Sequence, residues 1–285
     1  MKIIQWYPGH MAKAVRMMEE NLKLCDAVAC VLDARAPASS YNARIADMVG
    51  GKPVLYLLNK GDLADGGADA AVSLMQKSGR AALKIAATMP ASARALREAM
   101  AALLSEKAER YRERGVTRPL RVLVAGVPNT GKSTVINLLA GGKKAQTGDK
   151  AGVTRAKQWV KCGAFELLDT PGVMPPSCEN QTLARRLAYL GGINDDVLEM
   201  DEIALALLQE MWEKYPSSLK ERYGIEGGEP LEMLNAVCAR RGFVIKGNEY
   251  DYERGERAVI DDLRKGKLGK LCLDSPEDLG AAGLL

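Results

Sequence analysis

Aromatic residues and histidine are scarce: 285 residues hold two phenylalanines, three tryptophans and one histidine, His10. Six cysteines occur without a single Cys-x-x-Cys pair. Neither zinc nor a disulfide framework is therefore expected, and a reducing, cytoplasmic compartment is. Cys25 and Cys30, in or beside the run Asp26–Leu32, read as core thiols. No apolar run approaches the roughly 20 residues that a membrane span needs. The first residues have no signal-peptide core, so no membrane partner is expected. Internal repeats and low-complexity tracts are also missing. What is present is 47% hydrophobic residues, enough for a proper core in one large or two modest domains.

Charge is unevenly placed. Residues 1–178 carry 26 Lys and Arg against 15 Asp and Glu, whereas residues 179–285 carry 14 against 21. The positive part, with clusters at Lys107–Arg121 and Lys143–Lys161, suits RNA phosphates. Any one such run, Lys107–Arg114 included, also suits a solvated helix face. The acidic part argues against a simple basic RNA-binding module there, although it holds local basic spots at Arg240-Arg241 with Lys246, and Arg264-Lys265 with Lys267 and Lys270.

Leu120–Ala125 is a short apolar run with β-branched members and reads as a buried strand. It meets Gly126-Val127-Pro128-Asn129-Thr130-Gly131-Lys132-Ser133, a Gly-x-x-x-x-Gly-Lys-Ser pattern. A helical stretch, Thr134–Ala140, follows and stops at Gly141-Gly142. Strand, glycine loop and helix start form a phosphate cradle of main-chain N–H groups aided by the helix dipole. Asn129, Thr130, Gly131, Lys132, Ser133 and Thr134 are the expected phosphate contacts. Lys132 is expected to reach the β- and γ-phosphates, and Ser133 to ligate Mg²⁺. The loop alone does not separate ATP from GTP.

That choice falls to Asn59-Lys60-Gly61-Asp62, which ends the apolar run Pro53–Leu58. A carboxylate at Asp62 can accept from both guanine N1–H and the exocyclic amine, a donor pair that adenine lacks. Such a site can reject the wrong base by about 10⁴-fold. The same four residues would also make a plain turn. A third strand over Leu83–Thr88 could offer a main-chain N–H of Ala86 or Ala87 to the guanine oxygen. Many GTPases have Ser-Ala at that place. The order is reversed from that of small GTPases, in which the phosphate loop precedes the base reader.

Strand Phe165–Leu168 ends at Asp169-Thr170-Pro171-Gly172. Asp169 can hold the Mg²⁺ shell, and the Gly172 N–H can meet the γ-phosphate. Thr154, between loop and sensor, is the candidate second Mg²⁺ ligand. The next residue, Val173, stands where Ras-like proteins have a water-orienting glutamine, and valine neither donates nor accepts. Hydrolysis is then very slow, or another group or a partner positions the water. His10, in the turn Trp6–Met11 before an amphipathic helix (Met11, Val15, Met18, Leu22), has the chemistry for it. On local spacing alone a surface or helix-capping histidine is the plainer reading.

These residues resemble the circularly permuted GTPases of the ribosome biogenesis GTPase A family. The resemblance spans nearly the whole chain: Trp6–Ala14, Asp33-Ala34-Arg35-Ala36-Pro37, Asn59–Asp62, Gly126–Ser133, Thr147-Gly148-Asp149, Gln158-Trp159-Val160-Lys161, Leu167–Gly172, Tyr215-Pro216 and Leu219–Gly224. It implies a GTPase acting late in assembly of the large ribosomal subunit, stimulated by the particle, with rRNA and ribosomal proteins as partners and a monomer in solution. It also implies a catalytic set of His10, Lys132 and Thr154, with His10 replacing the missing glutamine. Asn129 resembles the phosphate-loop asparagine of potassium-activated GTPases, which implies K⁺ beside GTP or GDP and Mg²⁺. A switch that recruits a partner with negligible hydrolysis is the alternative that Val173 permits. GTP-dependent RNA modification has no extra catalytic cluster to support it.

The expected architecture is α/β: a permuted, mostly parallel GTPase domain over residues 1–176, then a smaller all-helical domain over 177–285. Strands are expected at 27–33, 53–59, 83–87, 121–125, 158–162 and 165–168. Helices are expected near 42–50 and 68–79, with a long one over 92–113 and residues 115–119 as the joint of the permutation. Pro175-Pro176-Ser177 marks the boundary. Because the helical part directly follows the sensor, nucleotide state is expected to set the order or orientation of residues 173–190.

Overall fold

The computed structural model describes Ile4 and residues 11–145, 158–174 and 180–285. His10, Thr154 and the boundary Pro175-Pro176-Ser177 lie outside these residues. The described strands are β1 (Ala27–Asp33), β2 (Val54–Asn59), β3 (Ala81–Lys84), β4 (Leu120–Ala125), β5 (Gln158–Cys162) and β6 (Phe165–Asp169). They form one sheet in the order β3-β2-β1-β4-β6-β5, parallel except for β5.

Period-2 alternation buries both faces of β1. Ala27, Ala29 and Val31 join the core beneath α4 (Ser92–Leu103) and α6 (Lys132–Ala140). Val28 points the other way, toward Val15 and Met18 of α1 (Met11–Leu22) and Ile45 of α2 (Ala43–Val49). Two-sided burial is why these strands read as continuous apolar runs.

The permutation is visible in the pairing. β1 to β3 carry the base reader, β4 to β6 carry the phosphate loop, and β1 pairs directly with β4 at the centre. Strand order runs outward in opposite senses from that pair. The carboxyl ends of β1 and β4 thus flank the switch point where open α/β sheets bind ligands. Asp26 anchors the joint: its carboxylate accepts from Tyr111 Oη at 2.6 Å, Arg118 at 3.0 Å and the Arg121 N–H at 2.9 Å.

Helices α7 (Gln181–Tyr189), α8 (Met200–Lys214), α9 (Pro216–Tyr223), α10 (Pro230–Arg241) and α11 (Tyr252–Arg264) enclose a second core, including Leu187, Leu207, Met211, Leu234, Val237 and Ile260. That core also takes in Ala36, Val127 and Met174, so it is continuous with the loops above the sheet. The last helix, α12 (Pro276–Ala281), leaves it and returns to α3 (Gly66–Lys77): Leu279 and Leu284 pack with Ala68 and Met75.

Two expected elements differ. The long helix over 92–113 is broken at Leu104 (φ −104°, ψ 10°) into α4 and α5 (Ser105–Glu113), where the Ser105 hydroxyl donates back to the Ala102 carbonyl at 2.9 Å. The third strand ends at Lys84 rather than running to Thr88. Beyond it the Ile85 carbonyl accepts from Gly61 N, and Ala87 N turns to a side chain.

Candidate nucleotide site

The phosphate loop begins where β4 runs out, and close approach dictates its glycines. A Cβ on Gly126 (φ +149°) would lie 2.4 Å from the Val31 carbonyl oxygen, and one on Gly131 (φ +90°) would lie 2.4 Å from Asn59 Nδ2. Any side chain there would push the loop off β1 and the base reader. Asn129 is also left-handed (φ 61°), a conformation that asparagine tolerates.

The two motifs are held together by side chains from one and carbonyls from the other. Asn59 Nδ2 donates to the Thr130 carbonyl at 2.9 Å, and its Oδ1 accepts from Ala87 N at 2.9 Å. Lys60, left-handed at φ 62°, donates from Nζ to the Asn129 carbonyl at 2.7 Å. Lys60 Nζ also pairs with buried Asp33 at 2.9 Å, which Arg35 grips with Nε and Nη2 at 2.9 and 2.8 Å. Burial alone would raise the Asp33 carboxyl, but the Arg35 and Lys60 cations hold it well below the usual carboxylate range. Asp33 therefore stays ionised and fixes Lys60 under the phosphate loop. Sequence reasoning assigned Asp33 and Arg35 no role; the signal was an acid at the end of an apolar strand.

Asp62 sits in a single 3₁₀ turn (Gly61–Leu63) just beyond β2, half-buried, and among the described residues no protein group bonds its carboxylate. Ala86 and Ala87 follow Ile85, whose carbonyl accepts from Gly61 N, but their own N–H groups are engaged, by Ser92 Oγ at 3.1 Å and by Asn59 Oδ1. Ser92 was not foreseen, since helix α4 that carries it has no nucleotide signature.

Lys132 is buried and donates to the Val127 carbonyl at 2.8 Å. Burial pushes its ammonium down to about 8, against the pull of the Asp169 carboxylate. Ser133 Oγ donates to Asp169 Oδ2 at 2.7 Å, so those two oxygens converge at the start of α6. Thr134 follows in its first turn, half-buried. The Thr130 hydroxyl donates inward to the Val127 carbonyl at 3.1 Å, while its own carbonyl accepts from Asn59. A hydroxyl and a carboxylate beside a loop rich in N–H groups fit a hard cation with oxygen ligands. No cluster of three or more His, Cys, Asp or Glu exists among the described residues.

Gly172 presses against the phosphate loop: a Cβ there would lie 2.6 Å from Pro128 N. Val173 is fully buried among Val15, Met18, Val28 and Leu168, with its carbonyl accepting from Asn42 Nδ2 at 2.8 Å. The position that carries glutamine in Ras-like proteins thus faces the core. Asn129 Nδ2 donates to the Gly191 carbonyl at 2.6 Å, beyond α7. That contact was invisible to sequence reasoning.

A family model described as 50S ribosome-binding GTPase matches residues 121–222. It takes in the phosphate loop and sensor and omits the base reader, which precedes them here. Over 98% of the chain and 96% of its own length, ribosome biogenesis GTPase A of Bacillus cereus is 40% identical. The chain belongs to the ribosome biogenesis GTPase A family. The family protein of Thermotoga maritima is 31% identical over 97% of the chain and 96% of its own length. The GNP-bound crystal structure of YlqF from T. maritima matches 93% of the chain and 99% of its own, with a TM-score of 0.63 and 28% identity. This family member is thus a circularly permuted GTPase that binds GTP and GDP and hydrolyses GTP. Among the described residues no helix is long and apolar enough to cross a membrane.

Proposed function

We propose that the protein, a cytoplasmic monomer, spends GTP to time a late step in assembly of the large ribosomal subunit, with hydrolysis stimulated by the particle. One observation carries this reading: both ends of residues 173–190 rest on adjacent phosphate-loop residues. Gly172 lies against Pro128 and Gly191 bonds Asn129. A change at the γ-phosphate then acts on both ends of the segment that leads into the helical domain, residues 177–285 in this proposal. The GTPase domain is residues 1–176.

Roles follow from the chemistry at each position. Asp62 accepts from the two guanine donors while Asn59 and Lys60 brace the loop, and Ala86 and Ala87 border the base. Main-chain N–H groups from Asn129 to Thr134, with Gly172, receive phosphate oxygens, and Lys132 neutralises the β- and γ-phosphates. Ser133, Asp169 and Thr154 would hold Mg²⁺, which when bound neutralises charge on the phosphate oxygens. Asn129 is the candidate ligand for K⁺, its amide oriented by Gly191.

His10 supplies the water-positioning group that Val173 cannot. In support, Ile4 is buried in the cluster containing Met174 and donates from its N–H to Gln181 Oε1 at 2.8 Å, while Val15 clusters with Val173. The chain on either side of His10 is therefore tied to the residues following the sensor. The test is cosedimentation and GTP turnover with purified large-subunit particles in GDP, GTP and GTP-analogue states. Analogue-dependent association, with strong stimulation lost in His10→Ala, is the expected result. Turnover indifferent to particles, or unaltered by His10→Ala, contradicts it.

A further inference from the structure

A cavity of about 450 Å³ opens on the helical domain between α9, the end of α10 and the loop after α11, and none of its lining residues belongs to a nucleotide motif. Its lining includes Arg222, Arg240 and Lys267 with Ser218, Gly266 and Gly269; Glu221 is the one acid that lines it among the described residues. This concentration of cations stands out in a part of the chain where acids outnumber bases.

Two of these cations, Arg222 and Lys267, are positioned from behind. Asp262, 1% exposed, accepts from Arg222 Nε at 2.8 Å, Tyr223 Oη at 2.9 Å and Arg241 Nη2 at 3.2 Å, with Lys267 Nζ 3.6 Å away. Burial would raise the Asp262 carboxyl, but those hydrogen bonds and charges lower it, so it stays ionised. One buried carboxylate thus orders two of the lining cations, Arg222 and Lys267, together with Arg241 beside them, and the cluster keeps a net positive charge. Arg240 is exposed and, among the described residues, has no acid partner. The loop after α11 is packed from behind: a Cβ on Gly266 would lie 2.6 Å from Leu63 Cδ2, and Leu271 N donates to the Leu63 carbonyl at 3.2 Å.

We propose that this cavity receives a backbone phosphate of double-helical RNA. Ordered guanidinium and ammonium donors, a hydroxyl and two glycines match phosphate oxygens. The lining contains no aromatic ring, so an unpaired base has nothing to stack on, which favours a duplex backbone over a single strand. The proposal rests on the reading that the protein works on ribosomal RNA.

The test uses the full chain, a fluorescent RNA hairpin with a perfect stem, and a salt titration. Arg240→Glu and, separately, Lys267→Gln should weaken hairpin binding by about tenfold and flatten the log–log salt slope by about 1 per charge lost. Arg257→Glu, also on the helical domain but outside the lining, should leave both nearly unaltered, as should fluorescent GDP affinity in every variant. Equal losses for Arg257→Glu, no loss for the two pocket variants, or no hairpin binding by the parent protein would overturn the proposal. So would a pocket-dependent affinity for an acidic peptide in place of RNA. Failure of GDP binding in the parent would instead strike the GTPase reading.

Discussion

Asn129 in the phosphate loop and Gly191 in the helical region are joined by a 2.6 Å hydrogen bond across 62 residues of sequence. Gly191 is left-handed (φ +74°), and a Cβ there would lie 3.2 Å from the Arg264 guanidinium and 3.3 Å from Asn129 Nδ2. Arg264 closes the arrangement by donating to the Ala188 and Tyr189 carbonyls at 2.9 Å and pairing with Asp195 at 2.7 Å. Arg35 donates in turn to the Leu263 carbonyl at 2.9 Å. The end of α11 is thus attached both to the phosphate loop and, through Asp33 and Lys60, to the base reader.

Gly191→Ala should therefore act on the nucleotide site through Asn129. The left-handed backbone alone costs about 1–2 kcal/mol with a side chain. The displaced Asn129 amide should also reduce any preference for K⁺ over Na⁺ in GTP turnover. Rates compared in the two salts, for the parent protein and this variant, check it. Equal parental rates in K⁺ and Na⁺ would remove the potassium role.

Val173→Gln should not restore a Ras-like hydrolytic group. The side chain points into a packed apolar cluster, where an unpaired amide costs about 1–3 kcal/mol. The expected outcome is a lower urea midpoint with no rise in intrinsic turnover.

Lys132 makes nucleotide binding depend on pH. Its ammonium is lowered to about 8 from an ordinary 10.5, and bound phosphates favour the charged form. Below pH 8 it is charged before and after binding. Between pH 8 and 10 binding must take up about one proton, so affinity falls as pH rises. Calorimetry of GDP binding at pH 9 in buffers of different ionisation enthalpy should show the uptake, and at pH 7 none from this group.

Arg186 is 5% exposed and binds three carboxylates: Glu210 at 2.7 Å, Asp274 at 3.0 Å and Asp278 at 2.7 Å. Asp274 also accepts from Ser39 Oγ at 2.6 Å, which links α7 and α8 to the loop after β1. Arg186→Ala would strand buried acids, so a loss of about 3–5 kcal/mol is expected in urea unfolding.

Much of this was legible in the sequence because it is local. Apolar runs ending in Asp169 or Asn59 gave the strands, and the glycine pattern from Gly126 to Ser133 gave the loop. The position after Gly172 was correctly read as unable to bind water, yet its burial depends on α1 crossing the sheet, which no local pattern encodes. Gly191 and the roles of Arg264 and Arg35 in joining the domains escaped notice for the same reason: the groups they meet lie far along the chain. The segment leading into α12 passes close to Gly67 of α3, where a Cβ would lie 2.7 Å from Cys272 Cβ, a complementarity between segments that composition does not reveal.

The base reader is the element on which the rest depends, and a swap of one atom tests it. Asp62→Asn replaces an acceptor with an amide that can donate to xanthine O2, while guanine then meets donor against donor. Competition binding of GDP, XDP and ADP should show the parent protein preferring GDP over ADP by about 10³-fold or more, and Asp62→Asn preferring XDP. Equal parental affinity for ADP and GDP, or an unchanged GDP preference in Asp62→Asn, would contradict the account.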